Sequence, residues 1–418
     1  MQTGCRIANG ARNMNAFARI CALFLAMSAF VAVAGAAAAQ QPDESVYTIS
    51  GVSVDETASS ASAARDKALA AGHLAAFHRL IDRLVPPEQR VRVPDLKVGD
   101  ITPMVRSFGI DDEKTSNVRY IGHLTFRFRR DAVRQFLQSR GIGFAETRSK
   151  PVLLLPVFDD GPVKRLWDDP NPWFDAWQAT PPSDGLVPLK LPAGDLADVQ
   201  DISAEQAANG ETGALKAIGE RYGAGTVIVS EAAIGNGPSG RQAVNITLTY
   251  YGGPSDGQTR IRSVEIGADE PIDAAVDRAA LDIQKQIEES WQRGNQLDFG
   301  RLNELVVVVA PGDLREWVEI RQQLRSTAFL KGLQLVAATR ARMAVRLSYY
   351  GSAEQLRVAL AQRDLVLAPG QDSWTLRSSR SAPQPGTAPP AADDNAAPAA
   401  PDSNAPPPDD AGPAPSNP

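Results

Sequence analysis

The sequence predicts an α+β protein of three consecutive α/β sandwich-type modules, followed by a disordered Pro/Ala-rich C-terminal tail. Two patterns carry this prediction. Alternating or continuous apolar runs of strand length recur between helical stretches with apolar residues three and four apart. At about Ser379 the composition then shifts to Pro, Ala, Asp and Asn, which bury too little surface to offset ordering entropy. The expected modules are residues 45–147, 148–298 and 302–378, with the tail at 379–418. The length between leader and tail suits two or three domains of ~100–200 residues each.

The amino terminus reads as a cleavable secretory signal peptide over residues 1–39. Arg6, Arg12 and Arg19 are the only charges before Asp43, and an apolar run from Ile20 to about Ala34 follows. Gly35 and four alanines then precede Gln40, so the expected cut falls after Ala39. Either Met1 or Met14 serves as the start, since Arg19 alone supplies a positive n-region. The apolar core is shorter than the ~20 residues a spanning helix needs, and nothing after it is long enough to span. Both cysteines, Cys5 and Cys21, leave with the leader, which excludes disulfides and thiolate chemistry from the mature chain. Export to the periplasm is therefore expected. The net charge of −6 suggests neither a nucleic-acid nor an anionic-lipid surface.

In the first module, Val46–Ile49 and Val52–Val54 read as a strand bulged at Gly51, where the alternation changes phase. A helix from about Ser62 to Val85 follows, with Leu74, Phe77, Ile81, Leu84 and Val85 on one face. Ala64, Ala68, Ala71 and Ala75 form a small-residue stripe that lets it lie close on a sheet, and Pro86-Pro87 stops it. Val118–Phe128 alternates as a strand, and a short helix from Asp131 ends at Gly141. The second module opens on Val152–Phe158, a continuous apolar run expected of a strand covered on both faces. After a Pro- and Trp-rich loop come a helix at 214–222, strands at 226–229, 244–250 and 259–266, and a helix at 271–293. The third runs β-α-β-β-α-β, from Leu305 to Leu367, the ferredoxin-like order.

Candidate chemistry is sparse. Of the three histidines, His73 and His78 share a helix about 140° apart. His78 is expected near the apolar stripe and His73 off it, while His123 lies on the polar face of its strand. Asp111-Asp112-Glu113 reads as a charged loop. Asp159 and Asp160 directly follow the second module's first strand, where α/β ligand sites usually lie, but Asp-Asp-Gly is also ordinary turn chemistry. Trp167, Asp168, Asp169, Trp173 and Trp177 make the most unusual stretch, with three tryptophans within eleven positions. They form either an aromatic platform for a glycan or partner, or a loop folded back over the core; the i,i+4 spacing of Trp173 and Trp177 favours the latter. No elbow, Walker, zincin or dinucleotide motif is present, and Gly235–Gly240 reads as a hairpin loop. No catalytic residue, metal ligand or cofactor is assigned.

The strand Val46–Val54, the Ala-rich helix with Phe77-His78-Arg79-Leu80-Ile81, the Tyr120–Phe128 strand, Phe136-Leu137, Gly141 and Pro151–Leu155 together resemble a bacterial family of unknown function, DUF 2066. The likeness reaches to Trp374-Thr375-Leu376 and implies no activity. More loosely, the first two modules resemble the paired periplasmic modules of flagellar H-ring and TolB-type proteins, through the turn at Arg221-Tyr222-Gly223-Ala224-Gly225-Thr226. That resemblance implies an assembly or scaffolding role with an envelope protein as partner. The alternative is a ligand-binding protein or hydrolase using the Trp loop with Asp159 and Asp160. Oligomeric state is left open.

Overall fold

Helices and strands alternate along the chain in three separate sheets, one in each expected segment. The computed structural model describes residues 45–297, 302–327, 329–339, 342–370 and 373–381. The leader, its cut after Ala39, the alternative start and the tail beyond 381 lie outside the described residues.

The first sheet holds β1 (Thr48–Thr57), β2 (Val105–Thr115) and β3 (Arg119–Phe128), antiparallel in the order β1-β3-β2. The register of β1 slips between Ile49 and Val52, where Gly51 takes a φ of +63°, so the phase change in the sequence is a bulge. Helix α1 (Ala61–Leu84) is capped by the Ser60 hydroxyl, which accepts from the Ala63 amide. Its buried small residues are Ala64, Ala68, Gly72 and Ala76. The stripe thus keeps the i,i+4 step from Ala68 through Gly72, correcting the expected Ala71 and Ala75, which are only half-buried. Short helices α2 (Pro87–Arg90) and α3 (Val98–Ile101) lead into β2, and α4 (Arg130–Gln138) follows β3 before Gly141, at φ +61°.

The second sheet is built on β4 (Val152–Asp159), which pairs in parallel with β7 (Thr226–Asn236); β8 (Gln242–Tyr251) and β9 (Thr259–Glu265) continue it antiparallel. Along the other edge of β4, two-residue strands β5 (Lys164–Arg165) and β6 (Leu189–Lys190) pair with its opposite ends. Alternate residues of β4 enter different cores. Val152, Leu154 and Phe158 pack with α5 (Pro172–Ala179) and α9 (Ile272–Gly294). Leu153, Leu155 and Val157 pack with α7 (Ala204–Ala208) and α8 (Thr212–Arg221), which α6 (Leu196–Asp201) precedes. This is why the run Val152–Phe158 does not alternate.

The third sheet has five strands: β10 (Leu302–Val309), β11 (Leu330–Ala338), β12 (Met343–Tyr350), β13 (Leu365–Pro369) and β14 (Trp374–Ser378). Helices α10 (Leu314–Arg325) and α11 (Ala353–Ala361) complete the β-α-β-β-α-β order. That order is extended by β14, which runs parallel to β10 and separates it from β13, giving β11-β12-β10-β14-β13.

The three sheets belong to one compact unit ending at Ser379. Buried side chains of the first and third sheets form a single cluster, helped by a bridge between Phe144 and Leu297. Polar contacts join the second sheet to its neighbours. Gln292 Nε2 donates to the carbonyls of Asp82 (2.8 Å) and Arg83 (3.0 Å). Trp291 Nε1 donates to the Thr147 carbonyl (2.7 Å). Lys150 Nζ pairs with Asp364 at 2.6 Å, and the Lys150 amide donates to Gln362 Oε1 at 2.6 Å. Arg83, almost fully buried, donates to the carbonyls of Val46 and Thr48 and pairs with Asp184.

Candidate functional site

Pro172 at the first turn and Asn171 as cap start α5 within the Trp-rich stretch. Asn171 Oδ1 accepts from the Phe174 amide, while its Nδ2 donates to the carbonyls of Pro156, Arg165 and Leu166. The cap therefore ties the loop to β4, and the helix turns its indoles inward. Trp173 is 0% exposed, and its Nε1 donates to the Ser230 carbonyl (3.0 Å) on β7. Trp177 is 7% exposed and meets Trp173 edge to face at 5.8 Å. Trp167, half-buried, donates to the Ile202 carbonyl at 2.7 Å and packs edge-on against Phe174. The indoles thus follow the fold-back reading and present no shared aromatic platform. Asp168 and Asp169 are exposed on the loop before α5.

Asp159 and Asp160 form the turn between β4 and β5. Asp159 accepts from Lys164 Nζ (3.0 Å) and the Gly161 amide (2.9 Å), and Lys164 also reaches Glu231 at 2.6 Å. The Lys164 hydrogen bond, then that of Gly161, holds the Asp159 carboxyl below its ordinary range. Burial lowers the Lys164 pKa, but Glu231 and Asp159 outweigh it and leave the ammonium more basic than usual. Asp160 pairs with Arg165 at 2.8 Å. Both aspartates thus brace the β4–β5 turn, and Trp173 and Trp177 are buried rather than exposed beside them. Among the described residues no three His, Cys, Asp or Glu side chains are gathered as metal ligands.

Two further expectations are corrected. His73 is the partly buried histidine, its ring edge-on to Phe126 at 4.8 Å, and His78 is exposed; the buried stripe through Gly72 and Ala76 places 73 beside it. Asp111, Asp112 and Glu113 belong to β2, not a loop. Each meets a β3 side chain: Asp111 accepts from Thr125, Asp112 pairs with His123 at 2.7 Å, and Glu113 accepts from the Tyr120 hydroxyl.

The concave surface lies elsewhere, where the start of β1 meets the end of β3 and the start of α4. A cavity of about 710 Å³ is lined by Thr48, Arg106, Arg127, Arg129, Arg130 and Asp131, among others. A second, of about 440 Å³, shares Thr48 and Arg127 with it and adds Arg83, Arg148 and Asp184. Beneath them lies a buried charge cluster. Glu146 is 3% exposed, accepts from Tyr47 Oη and Arg134, and lies 3.4 Å from Arg130. Burial alone would raise the Glu146 pKa, but Arg134, then Arg130 and Tyr47, pull it below its ordinary value. Burial, then the neighbouring Glu146 charge, pushes the Tyr47 hydroxyl well above its ordinary range.

No protein-family model matches the sequence, and comparison with curated proteins finds no match. The functional reading therefore comes from the residues themselves. Arg127 falls within the alternating strand Val118–Phe128, and alternation alone does not mark a cluster of arginines. The signal of this arginine groove was the run Arg127-Phe128-Arg129-Arg130; Arg106 and Arg148 join it only through the sheet and the chain entering the second module.

Proposed function

We propose that this chain is an exported protein of the bacterial cell envelope that works by interaction or scaffolding rather than by catalysis. The observation that carries this reading is the use of its polar side chains as joints. Arg83, Gln292, Trp291 and Lys150 tie the sheets to one another, and Asp159, Asp160 and Lys164 brace a turn. Such a frame holds its surfaces in fixed relation, which suits simultaneous contact with partners. The resemblance to DUF 2066 and, more loosely, to H-ring and TolB-type modules supports the same assignment, with an envelope protein as partner. The periplasm is the proposed compartment, reached by cleavage after Ala39. The glycan-binding or hydrolytic alternative loses its aromatic platform with Trp173 and Trp177 buried.

The test has two parts. Mass spectrometry of the protein recovered from a periplasmic fraction should find Gln40 at the amino terminus. Cross-linking in intact cells should then recover the same envelope proteins in replicate experiments. Retention in the cytoplasm, or no reproducible cross-link, would refute the reading.

A further inference from the structure

We infer that the arginine groove beside β1 is a binding site for phosphate groups. The pattern of cross-strand partners on β3 points there. Toward its start, charged side chains of β3 meet acids: Arg119 forms a two-pronged pair with Asp55 (2.6 and 2.7 Å), and His123 pairs with Asp112. At its end, Arg127 stands opposite Thr48 of β1 and Ser107 of β2, hydroxyls rather than carboxylates. Opposite charges stabilise such pairs, so this end of the sheet keeps an unneutralised cation. Arg127, Arg129 and Arg148 are exposed and hold no ion pair among the described residues; Arg148 donates only to Ser45 Oγ.

The two cavities share Thr48 and Arg127 in their walls; Arg129 lines the larger and Arg148 the smaller. The carboxylates nearby are engaged: Asp184 by Arg79 and Arg83, and Glu146 by Arg134 and Arg130. Asp131 remains as the acidic group of the larger cavity's lining. Guanidinium is a donor fork with no acceptor, and pairs of its N–H groups match two oxygens of a phosphate. A tetrahedral phosphate accepts from more directions than a carboxylate, and suits walls supplying several guanidinium groups. The chain as a whole carries a charge of −6, so this local reversal of sign also steers anions to the groove. The ligand is a molecule bearing one or more phosphates, from a soluble polyphosphate or from phospholipid headgroups. The inference rests on the binding role proposed above and gives that role a ligand.

The experiment uses the full mature chain. Titration calorimetry with sodium tripolyphosphate tests the soluble source; co-sedimentation with phosphatidylglycerol vesicles, against phosphatidylcholine vesicles, tests the headgroup source. Citrate serves as the carboxylate comparison. Binding in either phosphate arm, at least ten-fold weaker in the Arg127→Gln/Arg129→Gln double variant, supports the site and identifies the source. Arg315→Gln, at an 88% exposed side chain on α10, should leave binding unchanged. No binding in either arm overturns the inference, as does citrate binding equal to tripolyphosphate, or binding indifferent to the double variant. If the double variant fails to bind phosphate yet keeps the cross-linked partners, the site stands apart from the partner surface. Partners without phosphate binding leave the scaffolding reading intact and remove the groove alone.

Discussion

Two buried carboxylates show how neighbours set the response of this protein to acid. Glu146 is held below its ordinary pKa of 4.5 by Arg134, against the opposing effect of burial. A depressed carboxylate contributes stability above its unfolded pKa, and that contribution disappears as pH falls through the folded value. Glu146→Gln should therefore destabilise the protein at pH 7 by about 1–3 kcal/mol, because it removes the buried carboxylate charge that Arg134 pairs with. The gap between variant and wild type should narrow below about pH 4 in urea titrations; a gap independent of pH would show that the charge is not what matters. Glu288 behaves oppositely. Burial raises its pKa despite hydrogen bonds from Ser183 and the Val187 and Leu186 amides, so protonating it as pH falls toward 4.5 adds stability. The tryptophans offer a second contrast. Trp173 donates to Ser230, whereas Trp177 Nε1 is buried without a hydrogen-bond partner among the described residues. Trp173→Phe should cost about 2–4 kcal/mol, from lost volume and the stranded Ser230 acceptor. Trp177→Phe also removes an unsatisfied donor and should cost less than half as much; equal costs in chemical denaturation would refute that distinction.

At the level of elements, α1 lies close on β3 in the first module. A methyl group on Gly72 would meet Leu124 Cδ1 at 2.7 Å and Phe126 Cζ at 3.3 Å, both in the core. Alanine gains about 1 kcal/mol in helix propensity, but overpacking a tight seam costs about 1–3 kcal/mol. Gly72→Ala should thus lower the melting temperature; a rise would mean that the seam relaxes around the methyl. The same seam shows what was legible beforehand. Helix α1, the Gly51 bulge, β3, β4 and the helices of the third module were readable because a periodic apolar face or a turn residue marked each one. Strand β2 was not: after Val105 it buries no residue fully, so it carries no alternation, and its acidic residues find their roles only opposite β3. Strand β14 lies beyond the β-α-β-β-α-β order read to Leu367, and its place between β10 and β13 is a matter of long-range pairing. The arginine groove was hidden for a related reason. Arg106, Arg127 and Arg148 lie about twenty residues apart, and only the sheet and the chain leaving it bring them to two cavities that share Arg127.

For the whole molecule, the question is whether three modules read from sequence unfold as three. The buried clusters argue that two of them do not. Side chains from β1, β3 and α1 and from β10, β12 and α11 belong to one continuous core, with Phe144 and Leu297 among its members. The second sheet has two cores of its own; its module touches the shared core through Leu186, Leu297 and Trp291 and otherwise meets its neighbours through hydrogen bonds and ion pairs such as Arg83–Asp184 and Lys150–Asp364. Apolar burial contributes about 25 cal/mol per Å², while a partly exposed ion pair contributes about 1 kcal/mol or less. Coupling between the first and third sheets should therefore exceed coupling of either to the second. Phe144 is 0% exposed, so Phe144→Ala opens a cavity in the shared core, at a cost of about 3–5 kcal/mol. Amide hydrogen exchange should then show protection lost together in β1–β3 and β10–β14, with β4 and β7 less affected. Lys150→Ala, which cuts only the ion pair, should change protection in none of the sheets by more than about 1 kcal/mol. Loss of protection confined to the first sheet in Phe144→Ala would mean that the continuous core does not transmit unfolding, and that the modules are energetically separate after all.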